Sequence, residues 1–133
     1  MSDVDLGFYE VKLQVGHGGM PGAPILHMTL GVNASTGEVA GTAEITQALP
    51  PPYGSMAIPH VAGRIFQTGF GGNELLVHVT GQYPESATPP AIGTYQAEFS
   101  AALVVDRFWD GRGSFACNRD IIADCAVKNV SEA

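Results

Sequence analysis

The feature that most restricts what this chain can fold into is an alternation of apolar and polar residues with a period of two, renewed along most of its length. Tyr9, Val11, Leu13 and Val15 alternate with Glu10, Lys12 and Gln14. That pattern predicts a strand over residues 8–16 with one face toward a core and one toward water. Leu26, Met28, Leu30 and Val32 alternate with His27, Thr29 and Gly31, and Val39, Ala43 and Ile45 lie among Thr42, Glu44 and Thr46. A few turn residues between these two segments, from Asn33 to Gly37, suit a hairpin. Ile58, Val61, Ile65 and Phe66 predict a fourth strand over residues 56–68, in which Pro59 and Gly63 require a bulge or an edge position. Leu75, Val77 and Val79 mark a fifth strand closing at Gly81. The sixth, from Tyr95 to Val105, is long and strongly patterned, and Asp110-Gly111, a preferred hairpin dipeptide, separates it from a short segment from Gly113 to Cys117. For the stretch from Ile121 to Val130, strand and short helix both fit the spacing.

Between these segments stand residues that neither helix nor central strand tolerates. Four glycines and two prolines fall within the nine positions 16–24, and Pro50, Pro51 and Pro52 precede Tyr53. Pro84, Pro89 and Pro90 lead us to expect a loop from Tyr83 to Ile92. The expectation is an all-β fold, an antiparallel β-sandwich of 7–8 strands, with a small closed up-and-down β-barrel as the alternative. Residues 1–133 form one domain in this reading, with flexible ends at 1–7 and 131–133.

Composition narrows the function. The chain has 133 residues, 45% of them hydrophobic and 14% charged, enough to bury a core without disulfide or metal staples. Its formal charge of −7 sets its average surface against a phosphate backbone, so nucleic acid is not an expected partner. No transmembrane segment is visible, since the apolar stretch from Ala101 to Val105 stops at Asp106. The acidic start Met1-Ser-Asp-Val-Asp does not resemble a secretory signal, which makes a cytoplasmic location the default, with export by another route left open. Cys117 and Cys125 are too few for a disulfide framework; a short-loop disulfide and two buried thiols are both compatible with them, and thiols suit a reducing compartment.

One resemblance covers most of the chain. The run Met20-Pro21-Gly22-Ala23-Pro24, then Met28-Thr29-Leu30, and above all Gly41-Thr42-Ala43-Glu44-Ile45-Thr46-Gln47-Ala48 leading into Pro51-Pro52, resembles the small bacterial family known as domain of unknown function 1842. The likeness continues through Leu76-Val77-His78-Val79-Thr80-Gly81-Gln82-Tyr83 to Leu103 and Trp109 and fades from Cys117 onward. It implies a bacterial source and a compact β domain, and carries no catalytic residue.

The glycines from Gly16 to Gly22 suggest a phosphate cradle, but a strand pattern follows where a cradle needs a helix N-terminus. His17, His27, His60 and His78 lack the close pairing of a zinc site, although His27 and His78 are candidates to meet across a sheet. Asp106, Asp110, Asp120 and Asp124 offer oxygen atoms to calcium without the spacing of a calcium loop. Neither a nucleophile elbow nor a Cys/His pair is present. No cofactor, metal or catalytic residue is therefore expected. The expected contact residues are the loop residues His17, Met20, Tyr53, Phe70, Tyr83 and Trp109, because aromatic and flexible apolar side chains on loops anchor partners. The first reading is a non-enzymatic binding or interaction module contacting a protein, a glycan or a lipid surface. A barrel-shaped ligand carrier or isomerase/cyclase-type enzyme is the second, and would turn Arg64, His78 and Glu98 inward; a homo-oligomeric structural subunit is the third.

Overall fold

The computed structural model describes residues 8–17, 22–47, 55–67, 74–86, 92–117 and 120–131. They form eight strands: β1 (Phe8–Gly16), β2 (Ile25–Asn33), β3 (Glu38–Thr46), β4 (Ser55–Gln67), β5 (Leu75–Ser86), β6 (Thr94–Val105), β7 (Gly111–Cys117) and β8 (Asp120–Asn129). Each pairs antiparallel with the next, and β8 pairs with β1, so the sheet closes on itself. The all-β expectation holds, but the sandwich gives way to the up-and-down barrel. Period-two alternation cannot separate the two, because both architectures turn one face of every strand inward. What separates them is the ladder from Leu13↔Asn129 to Gly16↔Ala126, which joins the first strand to the last.

The undecided stretch after Ile121 is a strand, and its partner explains why. β8 lies between β7 and β1, where a helix would leave the ladder groups of both neighbours unmatched. β5 also runs past the expected stop at Gly81, through Tyr83 and Pro84 to Ser86, paired throughout with β6. Pro84 is accommodated there because β4 pairs with β5 only from Val61↔Gly81 downward, leaving Pro84 on an edge.

The inward phase of every strand is apolar. Leu13, Val15, Leu26, Met28, Leu30, Ile58, Val61, Val77, Phe99, Leu103 and Phe115 are buried, and among the described residues no charged residue is buried with them. An eight-stranded barrel is just wide enough for such side chains to fill, and each contributes about 1.5–3 kcal/mol by leaving water. Truncating Leu30, which has no exposed surface, to alanine is expected to cost about 2–5 kcal/mol.

Pro59 and Gly63 have the roles their positions require. Opposite the single residue Thr42, β4 inserts both Pro59 and His60, since Gly41 faces Val61 and Ala43 faces Ile58. This bulge frees the proline from the ladder. At Gly63 a Cβ would collide with the carbonyl oxygen of His78 on β5, so the strands approach there only because the side chain is absent.

Both chain ends of the described barrel, Phe8 and Asn129, mark what we term its lower end. Trp109, in the β6–β7 turn at that end, is 3% exposed and closes the core beside Tyr9. The turn is built by Asp106, whose carboxylate accepts hydrogen bonds from the amides of Phe108 at 2.8 Å and Asp110 at 3.2 Å. Trp109, rather than the expected Asp110-Gly111, takes the left-handed conformation, with φ 68°.

Candidate functional site

At the opposite, upper end the described residues form a recess. Pro24, Ile45, Met56, Phe115, Cys117 and Ile122, with the exposed Gln47 and Ile121, line a cleft of about 340 Å³. They come from β3, β4 and the residues that lead into β2 and out of β3 on one side and from β7–β8 on the other, so the cleft crosses the barrel mouth. Ile45 and Phe115 continue the buried inward rows, whereas Ile121 is 74% exposed. The mouth of a barrel is a common position for a binding site, and an apolar lining with one amide suits an apolar group presented by a partner.

One wall of this cleft is shaped by a second bulge. On β8, Ala123 and Asp124 together face the single residue Ser114, because Gly113 pairs with Cys125 and Phe115 with Ile122. Asp124 takes φ 58°, which turns the strand and leaves carbonyl groups without ladder partners. Side chains take their place: the His17 ring meets the Ala123 oxygen at 2.8 Å, and Arg112 donates to the Asp124 oxygen at 3.4 Å. Since a carbonyl only accepts, His17 must carry a proton on Nε2 in this contact. The Cys125 thiol is pushed above its ordinary pKa by burial first and by the neighbouring Asp124 carboxylate second, with Arg112 acting in the opposite direction.

The six expected contact residues do not form one site. His17 is half-buried at the upper end, tied to the β8 bulge. Met20, Tyr53 and Phe70 lie outside the described residues. Tyr83 and Trp109 are interior side chains, 2% and 3% exposed, and not loop anchors. Tyr83 falls on the inward phase of β5 once that strand runs past Gly81, and Trp109 is turned inward by its positive φ.

Other sequence candidates separate in the same way. His27 on β2 and His78 on β5 do not meet, because β3 and β4 stand between them; His27 contacts Thr46 Oγ1 at 3.1 Å. Asp106 and Asp110 shape the lower turn while Asp124 lies on the β8 bulge, and among the described residues no group of three His, Cys, Asp or Glu is placed to hold a metal ion. Cys117 and Cys125 are buried and not joined in a disulfide, as Cys117 pairs with Asp120 and the bulge sets Cys125 opposite Gly113. Arg64, His78 and Glu98 point outward.

Sequence reasoning missed the cleft residues Ile45, Met56, Ile121 and Ile122. Ile45 reads as an apolar residue of the third strand and Met56 only as the start of the fourth, while Ile121 and Ile122 belong to a stretch whose spacing does not decide its structure. No helix of the described residues is long and apolar enough to cross a membrane. The outer wall carries Glu10, Lys12, Glu44, Arg64, Arg112 and Lys128, all exposed, around an apolar interior, which is the reverse of a lipid-facing barrel wall.

A model of the family described as Domain of unknown function (DUF1842) matches residues 6–120. No curated protein matches the chain. The family match spans β1–β7 and stops where the closing strand β8, with its bulge and Cys125, begins.

Proposed function

We propose, for a chain that belongs to the family Domain of unknown function (DUF1842), a binding module rather than a catalyst, docking a protein partner at the upper end of its barrel. The observation that carries this reading is the apolar cleft of about 340 Å³ across the mouth, with Ile121 exposed beside it. An exposed isoleucine next to a recess is the kind of feature a partner's apolar side chain covers. A protein suits this cleft better than a glycan, because the one aromatic ring among the described residues that line it, Phe115, is 1% exposed and offers no platform for stacking. A lipid surface suits it less, since anionic headgroups meet a chain of net charge −7.

The reading is tested by immobilising the full chain and measuring retention from a lysate of its source, beside the variant Ile121→Asp and the wall variant Lys128→Ala. A defined protein kept by wild type and Lys128→Ala and lost by Ile121→Asp is the expected result. Retention of no protein, or equal retention by all three forms, overturns it.

Self-association is a second reading, favoured by one outer row in which Phe66, Leu76 and Val104 are register partners and Phe66 is 49% exposed. Sedimentation at rising concentration tests it, and a monomer throughout removes it.

A further inference from the structure

β5 and β6 extend beyond the strands that flank them. β4 pairs with β5 only as far up as Val61↔Gly81, and β7 with β6 only as far as Phe99↔Cys117. β5 and β6 remain paired with each other out to Ser86↔Thr94. Among the described residues, 82–86 and 94–98 therefore form a two-stranded arm with no ladder partner along either outer edge. Its inner face is seated on the core through Tyr83 and Ala97, each 2% exposed. Held in this way, each edge directs alternate N–H and C=O groups away from the arm, ready to pair with another strand.

The two edges are not alike. On β5, Pro84 removes a donor, one of the devices by which natural sheets discourage strand addition. The β6 edge reads Thr94-Tyr95-Gln96-Ala97-Glu98 and has neither proline nor lysine. Where β7 stops beside it, a groove of about 440 Å³ runs over the outer face, lined by Gln82, Glu98, Ser100 and Ala116 among others. Glu98 is exposed, and among the described residues that line the groove none is a cation.

We infer that the 94–98 edge of β6 is a strand-addition site for an extended, cationic peptide segment of a partner protein. The inference rests on the protein-docking reading above and adds the place and conformation in which part of the partner is held. Main-chain bonding to the edge supplies the attachment, and side chains alternating along the added strand face the groove, where Glu98 favours lysine or arginine. A second copy of this chain is the poorer occupant, because it brings a net charge of −7 against −7.

The test is an amide-resolved NMR titration of the full chain with a seven-residue peptide alternating threonine and lysine, and with its threonine/glutamate counterpart. The expected result is saturable shifts and slowed hydrogen exchange at amides within 94–98 for the lysine peptide, with at least tenfold weaker binding of the glutamate peptide. Glu98→Lys, at an exposed position, is expected to reverse that order, and Gln96→Pro to abolish binding, with the Trp109 indole signal reporting that the fold is intact. Shifts confined to the Ile121 end, equal binding of both peptides, or no binding overturns the strand-addition site while leaving the docking reading to its own retention test. Protection of 94–98 that grows with protein concentration without peptide assigns the edge to a second copy and overturns it as well. Loss of lysate retention in the Ile121→Asp form has no bearing on the peptide titration, so the two failures are told apart.

Discussion

Trp109 donates its indole N–H to the phenolic oxygen of Tyr9 at 3.1 Å, with the two rings edge to face at 6.4 Å and 74°. The residues are one hundred positions apart, and closure of the barrel is what brings β1 beside the β6–β7 turn. The pair closes the lower end of the core with both a packing contact and a polar one.

Tyr9→Phe keeps the ring and removes the acceptor, so a loss of about 1 kcal/mol is expected. Trp109→Ala removes a buried ring as well, with an expected loss of about 3–5 kcal/mol. Urea unfolding with an unchanged slope would report both as shifts in midpoint, the second several times the first.

Gly63→Ala and Gly22→Ala are expected to differ sharply. At Gly63 the new methyl meets the His78 carbonyl on the adjacent strand, and the β4–β5 ladder must part to admit it, a severe loss of stability. At Gly22, φ is 84° but no atom of the described residues lies within 4 Å of the added Cβ, so backbone strain is the expected cost, about 1 kcal/mol. Thermal melts of the two variants side by side would show whether space or backbone angle matters more.

The raised pKa of Cys125 gives stability a direction in pH. The folded state holds the thiol protonated more firmly than the unfolded chain does, so this contribution is full below the ordinary thiol value of about 9. It is lost as pH rises from there through the folded value. Unfolding free energy measured from pH 8 to 10.5 is expected to fall in wild type, and Cys125→Ala is expected to flatten the part of that fall owed to this thiol. Alkylation of Cys125 at pH 8 should likewise be slow until denaturant is added.

Asp106 accepts two backbone hydrogen bonds within its own turn, and Asp110 ties that turn to β8 through the Asn129 amide at 2.9 Å. Asp106→Ala is expected to cost about 1–2 kcal/mol, with Asp106→Asn, which keeps the acceptor oxygen, recovering most of it. Hydrogen exchange at the amides of Phe108 and Asp110 would localise the effect.

Much of the barrel wall was legible along the chain. The first strand, from Phe8 to Gly16, follows from alternation alone, and the bulge at Pro59 follows from a ring that cannot donate to a ladder. The candidate site was less legible. Tyr83 and Trp109 were expected on loops because neighbouring prolines and turn residues signal loops, yet an edge position tolerates Pro84 and a positive φ turns Trp109 inward. Ile121 and Ile122 gave no local signal, since the cleft they line is completed by Ile45 of β3 and Met56 of β4, distant in the chain.

By itself the sequence determined that this protein is built of strands, where most of them turn, and that their inward faces are apolar. Burial and backbone sterics act over two to five residues, and that is the range in which sequence patterns record them. Only the tertiary structure decided that β1 meets β8, that the sheet is a barrel and not a sandwich, and that Cys125 lies opposite Gly113. Those outcomes depend on which edges remain to be paired and on how the summed side-chain volumes fill one closed interior, and neither quantity belongs to any single segment.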